Sequence, residues 1–199
     1  IYVNATFCNV DVYLFLYCNS YWDHWICYYK SFSRLTMAEI EIKNLHKSFG
    51  DFVAVKNSNL VIDNKEFFVL LGPSGCGKTT TLRMIAGLEL PTSGNILLDK
   101  EDVGYLRASQ RDIAFVFQLF ALYPHMNVRN NLAFPLKMQK FSKTEVDAKV
   151  MEAAKLLRID HLLKSKVSSL AGGDRQRVAL GRALVRRPKA FLMDEPLGT

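Results

Sequence analysis

Three observations predict an α/β fold. A glycine-rich stretch, Gly72-Pro73-Ser74-Gly75-Cys76-Gly77-Lys78-Thr79-Thr80, stands between the apolar run Phe67-Phe68-Val69-Leu70-Leu71 and the helical pattern Leu82-Arg83-Met84-Ile85-Ala86. Ahead of it, from Glu39 to Phe68, apolar and polar residues alternate in short segments broken by turns. Behind it, from about 126 to 170, apolar residues recur three or four positions apart. The expected architecture is a strand, loop and helix core with an antiparallel β subdomain beside it and an α-helical insert after it.

The central stretch fits G-x-x-x-x-G-K-[ST], and the flanking apolar run and helix give that pattern its meaning. Gly72, Gly75 and Gly77 let backbone N–H groups curl inward around phosphate oxygens where side chains would obstruct them. The helix that follows adds its positive end. Lys78 would reach the β- and γ-phosphates, and the Thr79 hydroxyl would complete the coordination of Mg²⁺. The prediction is therefore a P-loop NTPase core that takes a nucleoside triphosphate.

Within the β segment, Ile40, Ile42 and Leu45 alternate with Glu39, Glu41 and Lys43, and Val53 and Val55 follow a turn at Gly50-Asp51. Leu60 and Ile62 precede the polar turn Asp63-Asn64-Lys65. Phe49, beside the first turn, could stack on an adenine base or simply end a strand. After the glycine-rich loop, Gly87 is the expected helix stop, Pro91 to Gly94 a turn, and Asn95 to Asp99 a strand. Ile113 to Phe117 reads as a buried strand ending at Gln118. Asn127 and Ser142 are candidate caps for two helices of the insert. Gly172-Gly173 open a further helix that Pro188 should end, and their bare N–H groups make a second anion-binding start. Ala190 to Met193 reads as a buried strand delivering Asp194-Glu195, where one carboxylate can hold Mg²⁺ through water and the second can polarise an attacking water.

With 199 residues and 49% hydrophobic content, the chain can build one sizeable domain, or one domain and an appendage. Residues 1 to 36 carry only Lys30, Arg34, Asp11 and Asp23, so the whole excess of +7 lies in 37 to 199. No run of five or more Lys/Arg and no nucleic-acid motif accompanies it, so most of these charges read as a solvated face. Cys8, Cys18 and Cys27 match no zinc spacing, and a thiol at Cys76 inside the loop suits a reducing compartment.

The first 36 residues differ in kind. They hold eleven aromatic residues without a period of 2 or 3.6, and polar residues such as Asn9, Asp11 and Asp23 interrupt any membrane span. Regular alternation begins at Met37-Ala38-Glu39. The expectation is an aromatic-rich leader outside the fold, as a mis-set reading frame ahead of a start at Met37 would leave. A membrane-associated extension is the rival.

Taken together, these residues resemble the ATP-binding subunit of ABC transporters over about 38 to 199. Gly72 to Thr79 match the phosphate loop, Gln118 the Q-loop glutamine, and Leu170-Ala171-Gly172-Gly173-Asp174 the family signature. Asp194 matches the magnesium-side aspartate, Glu195 the catalytic glutamate, and Phe49 the adenine-stacking aromatic. The resemblance implies that Glu195, Gln118 and Lys78 act in ATP hydrolysis. It implies that Phe49, the run Gly72, Pro73, Ser74, Gly75, Cys76, Gly77, Lys78, Thr79 and Thr80, and Ala171, Gly172 and Gly173 bind the nucleotide. Thr79, Gln118 and Asp194 would serve Mg²⁺. It further implies a head-to-tail homodimer with two ATP molecules between its subunits, lying on the cytoplasmic face of the plasma membrane against integral-membrane permease subunits. A solute-binding protein would act indirectly, and no nucleic acid is expected. The stretch Ala121 to Met126 and Gly172 to Arg177 look like bacterial importers of sugars or glycerol phosphate.

Two departures accompany the likeness. The signature usually reads L-S-G-G-Q, whereas Ala171 and Asp174 stand here, so weakened hydrolysis is expected. No histidine follows Asp194-Glu195, so the family's switch histidine is absent and the domain reads as incomplete at its C-terminus. Two alternatives stay open on sequence: a soluble ABC-type ATPase acting on ribosomes or nucleic acid, and a P-loop enzyme outside transport such as a small-molecule kinase.

Overall fold

The computed structural model describes residues 5–7, 10–12 and 37–194. They fall into two compact units that divide after Ile113. In the first unit, strands β1 (Ala5–Phe7) and β2 (Val10–Val12) pair antiparallel, Thr6 opposite Asp11. The larger sheet comprises β3 (Ile40–Phe49), β4 (Phe52–Ile62), β5 (Ser93–Leu98) and β6 (Glu101–Asp102), in the order β4-β3-β5-β6. All its pairings are antiparallel, as the alternation predicts.

The β3–β4 hairpin turns through two residues, with Gly50 at φ +58 between the paired Phe49 and Phe52. A left-handed first position is what a tight hairpin asks of glycine. Register shifts interrupt the ladder beside Asn44 and Asn57, both at positive φ. Asparagine tolerates that conformation better than other side chains, and Asn44 and Asn59 lock the irregular stretch by hydrogen bonds at 2.8 and 3.3 Å. The alternating inner residues Ile40, Ile42, Leu45, Val55, Leu60, Ile96 and Leu98 are buried.

Helix α1 (Lys78–Ala86) buries Met84 and Ile85 and stops at Gly87, which adopts φ +73 as expected of a helix-ending glycine. Its C-terminal carbonyls meet Arg111, only 1% exposed. That guanidinium donates to Met84 O at 2.5 Å, Ile85 O at 2.9 Å, Gly104 O at 2.8 Å and Leu106 O at 3.0 Å. Burial lowers its pKa, while the charge of Asp102 acts in the opposite direction.

The run Phe67 to Leu71 corrects the sequence reading. It forms no strand, and Phe67 and Leu71 are about half exposed, at 56% and 47%. A strand exists only where a neighbour supplies ladder partners. Neither the four-stranded sheet nor the pair described next takes this run as a member.

In the second unit, β7 (Ile113–Val116) and β8 (Ala190–Met193) pair, and three helices surround a core of their own. Helix α2 (Val128–Met138) starts on Asn127, whose side chain accepts from Asn130 N at 2.8 Å. Helix α3 (Lys143–Leu156) starts on Ser142 with a reciprocal cap to Glu145. Both caps are those expected. Helix α4 (Gly172–Leu184) passes so close that a Cβ on Gly181 would lie 2.7 Å from Leu132 and 3.0 Å from Leu157. It ends at Leu184, a full turn before Pro188, so proline is not its terminator. Buried Val128, Leu132, Leu136, Val150, Ala154, Ile159 and Val178 fill the helical core. Among the described residues, no helix is long and apolar enough to cross a membrane.

Candidate functional site

In the first unit, the glycine-rich loop closes on its own lysine. Lys78 Nζ donates to Gly72 O at 2.7 Å and Pro73 O at 2.8 Å, and stands 3.6 Å from Cys76 Sγ. Gly77 is the N-cap of α1 at φ +92. A Cβ there would run into the Ala54 carbonyl oxygen and approach Val55 Cγ2 to 3.2 Å, so the floor laid by β4 admits only glycine. No side chain caps α1 and no acid stands in its first turn, which leaves the helix start to an external anion.

Gly72, Pro73, Ser74 and Gly75 are exposed, while Cys76, Lys78, Thr79 and Thr80 are half-buried at the mouth of the helix. A Cβ on Gly72 would lie 2.6 Å from Cys76 Sγ, so that side chain occupies the space a larger residue would need. The donors and the bare helix start fit a triphosphate. Phe49 ends β3 in the same unit, 48% exposed, with Lys47 Nζ 4.7 Å from its ring centroid. Lys47 is itself fixed by Glu89 at 2.7 Å and Leu90 O at 2.8 Å. The exposed part of the ring is apolar and flat enough for a base.

Gln118, Asp194 and the signature residues belong to the second unit. Asp194 is 8% exposed, and its amide donates to Val116 O at 3.1 Å, which sets it beside the end of β7, two residues before Gln118. Gln118 is exposed on the turn after that strand. The strand pair thus brings Gln118 and Asp194 to one end of the sheet. Glu195 lies outside the described residues. Among those described, no three His, Cys, Asp or Glu side chains come together as a metal cluster. Thr79 and Asp194 are hard oxygen donors of the kind Mg²⁺ takes, and that ion normally completes its shell with waters and substrate phosphates.

Ala171 is the extended N-cap of α4 and lends it no side-chain cap. A Cβ built on Gly172 or Gly173 meets nothing within 4 Å, so packing inside this chain does not demand glycine at either position. Their exposed amide surface is open to something outside the chain. Asp174, in the first turn, pairs with Arg177 at 3.3 Å.

Among the apolar residues that follow Gln118, Leu119 stands exposed, at 86%. Phe120 and Leu122 pack against Ala114, Val116, Ala179 and Ala183, and Met126 is half-buried. A shallow cavity of about 170 Å³ beside them is lined by Leu119, Phe120, Leu122, Pro124, Val167 and Arg175, among others. Two arginines escaped the sequence reading, the buried Arg111 and the half-buried Arg182. The signal was there: each interrupts or adjoins an apolar run, where an unpaired guanidinium would be costly.

A phosphate loop on an uncapped helix, a glutamine and an aspartate at one strand end, and a glycine-opened helix define a nucleotide-binding cassette. The chain belongs to the ABC transporter family, whose model matches residues 55–198. It is 56% identical over 162 residues to the trehalose import ATP-binding protein SugC of Mycobacterium tuberculosis, covering 81% of this chain and 41% of that protein. It is 54% identical over 162 residues to the sn-glycerol-3-phosphate import ATP-binding protein UgpC of Rhizobium meliloti, covering 81% and 46%. The dimeric ATP-binding cassette MJ0796, in a post-hydrolysis state bound to ADP and Pi, superposes with a TM-score of 0.71 at 34% identity, over 80% of this chain and 75% of that one. The chain thus spans less than half the length of the curated relatives it matches.

Proposed function

We propose that this chain is the nucleotide-binding part of an ATPase subunit that powers an ABC importer for sugars or related small solutes. The observation that carries the reading is the start of α1: a left-handed Gly77, no side-chain cap, no first-turn acid, and Lys78 held by the loop's own carbonyls. Binding of ATP exchanges those carbonyls for phosphate oxygens at Lys78, a charge-assisted replacement. Phe49 takes the adenine, and Gly72 to Thr80 wrap the triphosphate. Mg²⁺, when bound with ATP, neutralises charge on the transferred phosphoryl group, with Thr79, Gln118 and Asp194 as its protein-side partners. Glu195 orients the attacking water.

The open space over Gly172 and Gly173 supports a head-to-tail dimer, in which the signature of one copy completes the triphosphate site of the other. The domain spans 37–199 with its helical insert at about 119–170. The importer class rests on the names of relatives such as SugC and UgpC. Permease subunits, an indirect solute-binding protein and a peripheral place at the cytoplasmic membrane face follow from the same reading. The exposed Leu119 and the neighbouring cavity are the docking ground for a permease segment.

Sedimentation velocity of the Glu195→Gln variant tests this. With Mg²⁺ and ATP the protein should move from monomer to dimer, and the further change Lys78→Ala should return it to monomer. A monomer under every condition would count against the dimer, and a dimer indifferent to Lys78 would count against the site.

A further inference from the structure

The turn that carries Gln118 is held in an uncommon conformation. Phe120 and Ala121, neither of them glycine, follow one another at φ +60 and +46. L-residues rarely enter that region, and two in succession persist only when the surroundings fix them. The turn's own bonds are short-range: Phe120 N donates to Phe117 O at 3.0 Å and Ala121 N to Leu119 O at 2.6 Å. Neither bond ties the turn to the rest of the unit.

Arg182 supplies that tie. It projects from α4, the helix that Gly172-Gly173 open, and its Nη1 donates to Ala121 O at 2.7 Å and its Nη2 to Phe120 O at 3.2 Å. The same guanidinium lies over the Tyr123 ring, 5.2 Å from its centroid. Asn131 fixes the other side of the segment, accepting from Tyr123 N at 2.9 Å and donating to Tyr123 O at 3.1 Å. A planar fork suits two adjacent carbonyls and an aromatic face in a way that an ammonium does not.

We propose that Arg182 is a positioning residue, which clamps the Phe120-Ala121 turn to the signature helix and so sets where Gln118 stands at the catalytic site. This rests on the reading that Gln118 serves ATP hydrolysis. The clamp makes the start of α4 and the Gln118 turn one mechanical piece, so nucleotide contact at Gly172-Gly173 and the position of Gln118 change together.

The test compares wild type, Arg182→Met, Arg182→Lys and the double variant Arg182→Met with Ala121→Gly, in the full-length protein assembled with its permease subunits. Hydrogen exchange of peptides spanning 117–123 is read first, then ATP turnover. Exchange at Phe120 and Ala121 should quicken in Arg182→Met, while helices α2 and α3 keep their protection. Turnover should fall about tenfold in kcat with KM within about twofold, the pattern of a misplaced catalytic group. Lysine should restore little, because one ammonium cannot serve both carbonyls and the ring. Glycine at 121 should recover part of the loss, since it adopts the turn without strain. A role confined to stabilising α4 would give no such recovery. Unchanged exchange at 117–123, or unchanged kcat, would overturn the proposal, as would a loss spread equally over kcat and the protection of α2 and α3. A wild-type complex without ATPase activity would overturn the reading beneath it, and the catalytic role of the clamp with it.

Discussion

Ala171 occupies the N-cap of α4, the position where a hydroxyl does most for a helix. Ala171→Ser should therefore act twice. It should raise stability to urea by about 1 kcal/mol through the cap, and it should raise ATP turnover in dimers by adding a donor toward the γ-phosphate. Combining it with Asp174→Gln should increase turnover further, because that change removes a negative charge near the triphosphate. A phosphate-release assay checks both, and equal turnover in all three proteins would remove the idea. Asp102 tests the electrostatics. The Gly104 amide and then the Asn95 side chain hold its carboxyl below the ordinary 3.8. A depressed folded value means that the carboxylate stabilises the fold above the unfolded value and ceases to do so as pH falls through the folded one. Asp102→Asn should consequently be less stable than wild type at pH 7, with the gap closing below about pH 4 in urea melts. Arg111→Met should cost about 3 to 5 kcal/mol, since it strands carbonyls of Met84, Ile85, Gly104 and Leu106 in the interior. A cost under about 1 kcal/mol would show that water replaces the guanidinium.

At the scale of elements, local chemistry was legible and partnership was not. The Asn127 and Ser142 caps, the Gly87 stop and the Gly50 turn all act through their own neighbours, so sequence alone places them. The Phe67 to Leu71 run has the composition of a buried strand, yet a strand needs a ladder that residues far along the chain must provide. Pro188 likewise marks where a helix cannot continue, without marking where it stops. Arg111 and Arg182 were only weakly legible: an arginine at an apolar run hints at burial, but the carbonyls that receive it, Met84 O and Ala121 O among them, lie far along the chain. Gly77 joins the two kinds: the motif names it, and the floor of β4 explains it. Gly77→Ala should abolish nucleotide binding while α1 keeps its helicity by circular dichroism, because the strain falls on the loop ahead of the helix. Undiminished binding would show that the loop can shift away from β4.

For the whole molecule, the motif residues divide between two compact units, Phe49 and Gly72 to Thr80 in one and Gln118, Ala171 to Gly173 and Asp194 in the other. Each set has groups suited to phosphate oxygens or to a hard cation, backbone N–H groups and Lys78 in the first and the Gly172-Gly173 helix start and Asp194 in the second. The family is shown by the sequence match, and the proposed site chemistry rests on the first turn of α1. The most direct measurement is equilibrium titration of this chain with ATP in the presence of Mg²⁺, wild type against Lys78→Ala. Saturable one-to-one binding that weakens at least about a hundredfold in the variant, the loss of a charge-assisted contact to phosphate, is the expected result. Absence of saturable binding in the wild type, or equal affinity in the variant, would contradict the account.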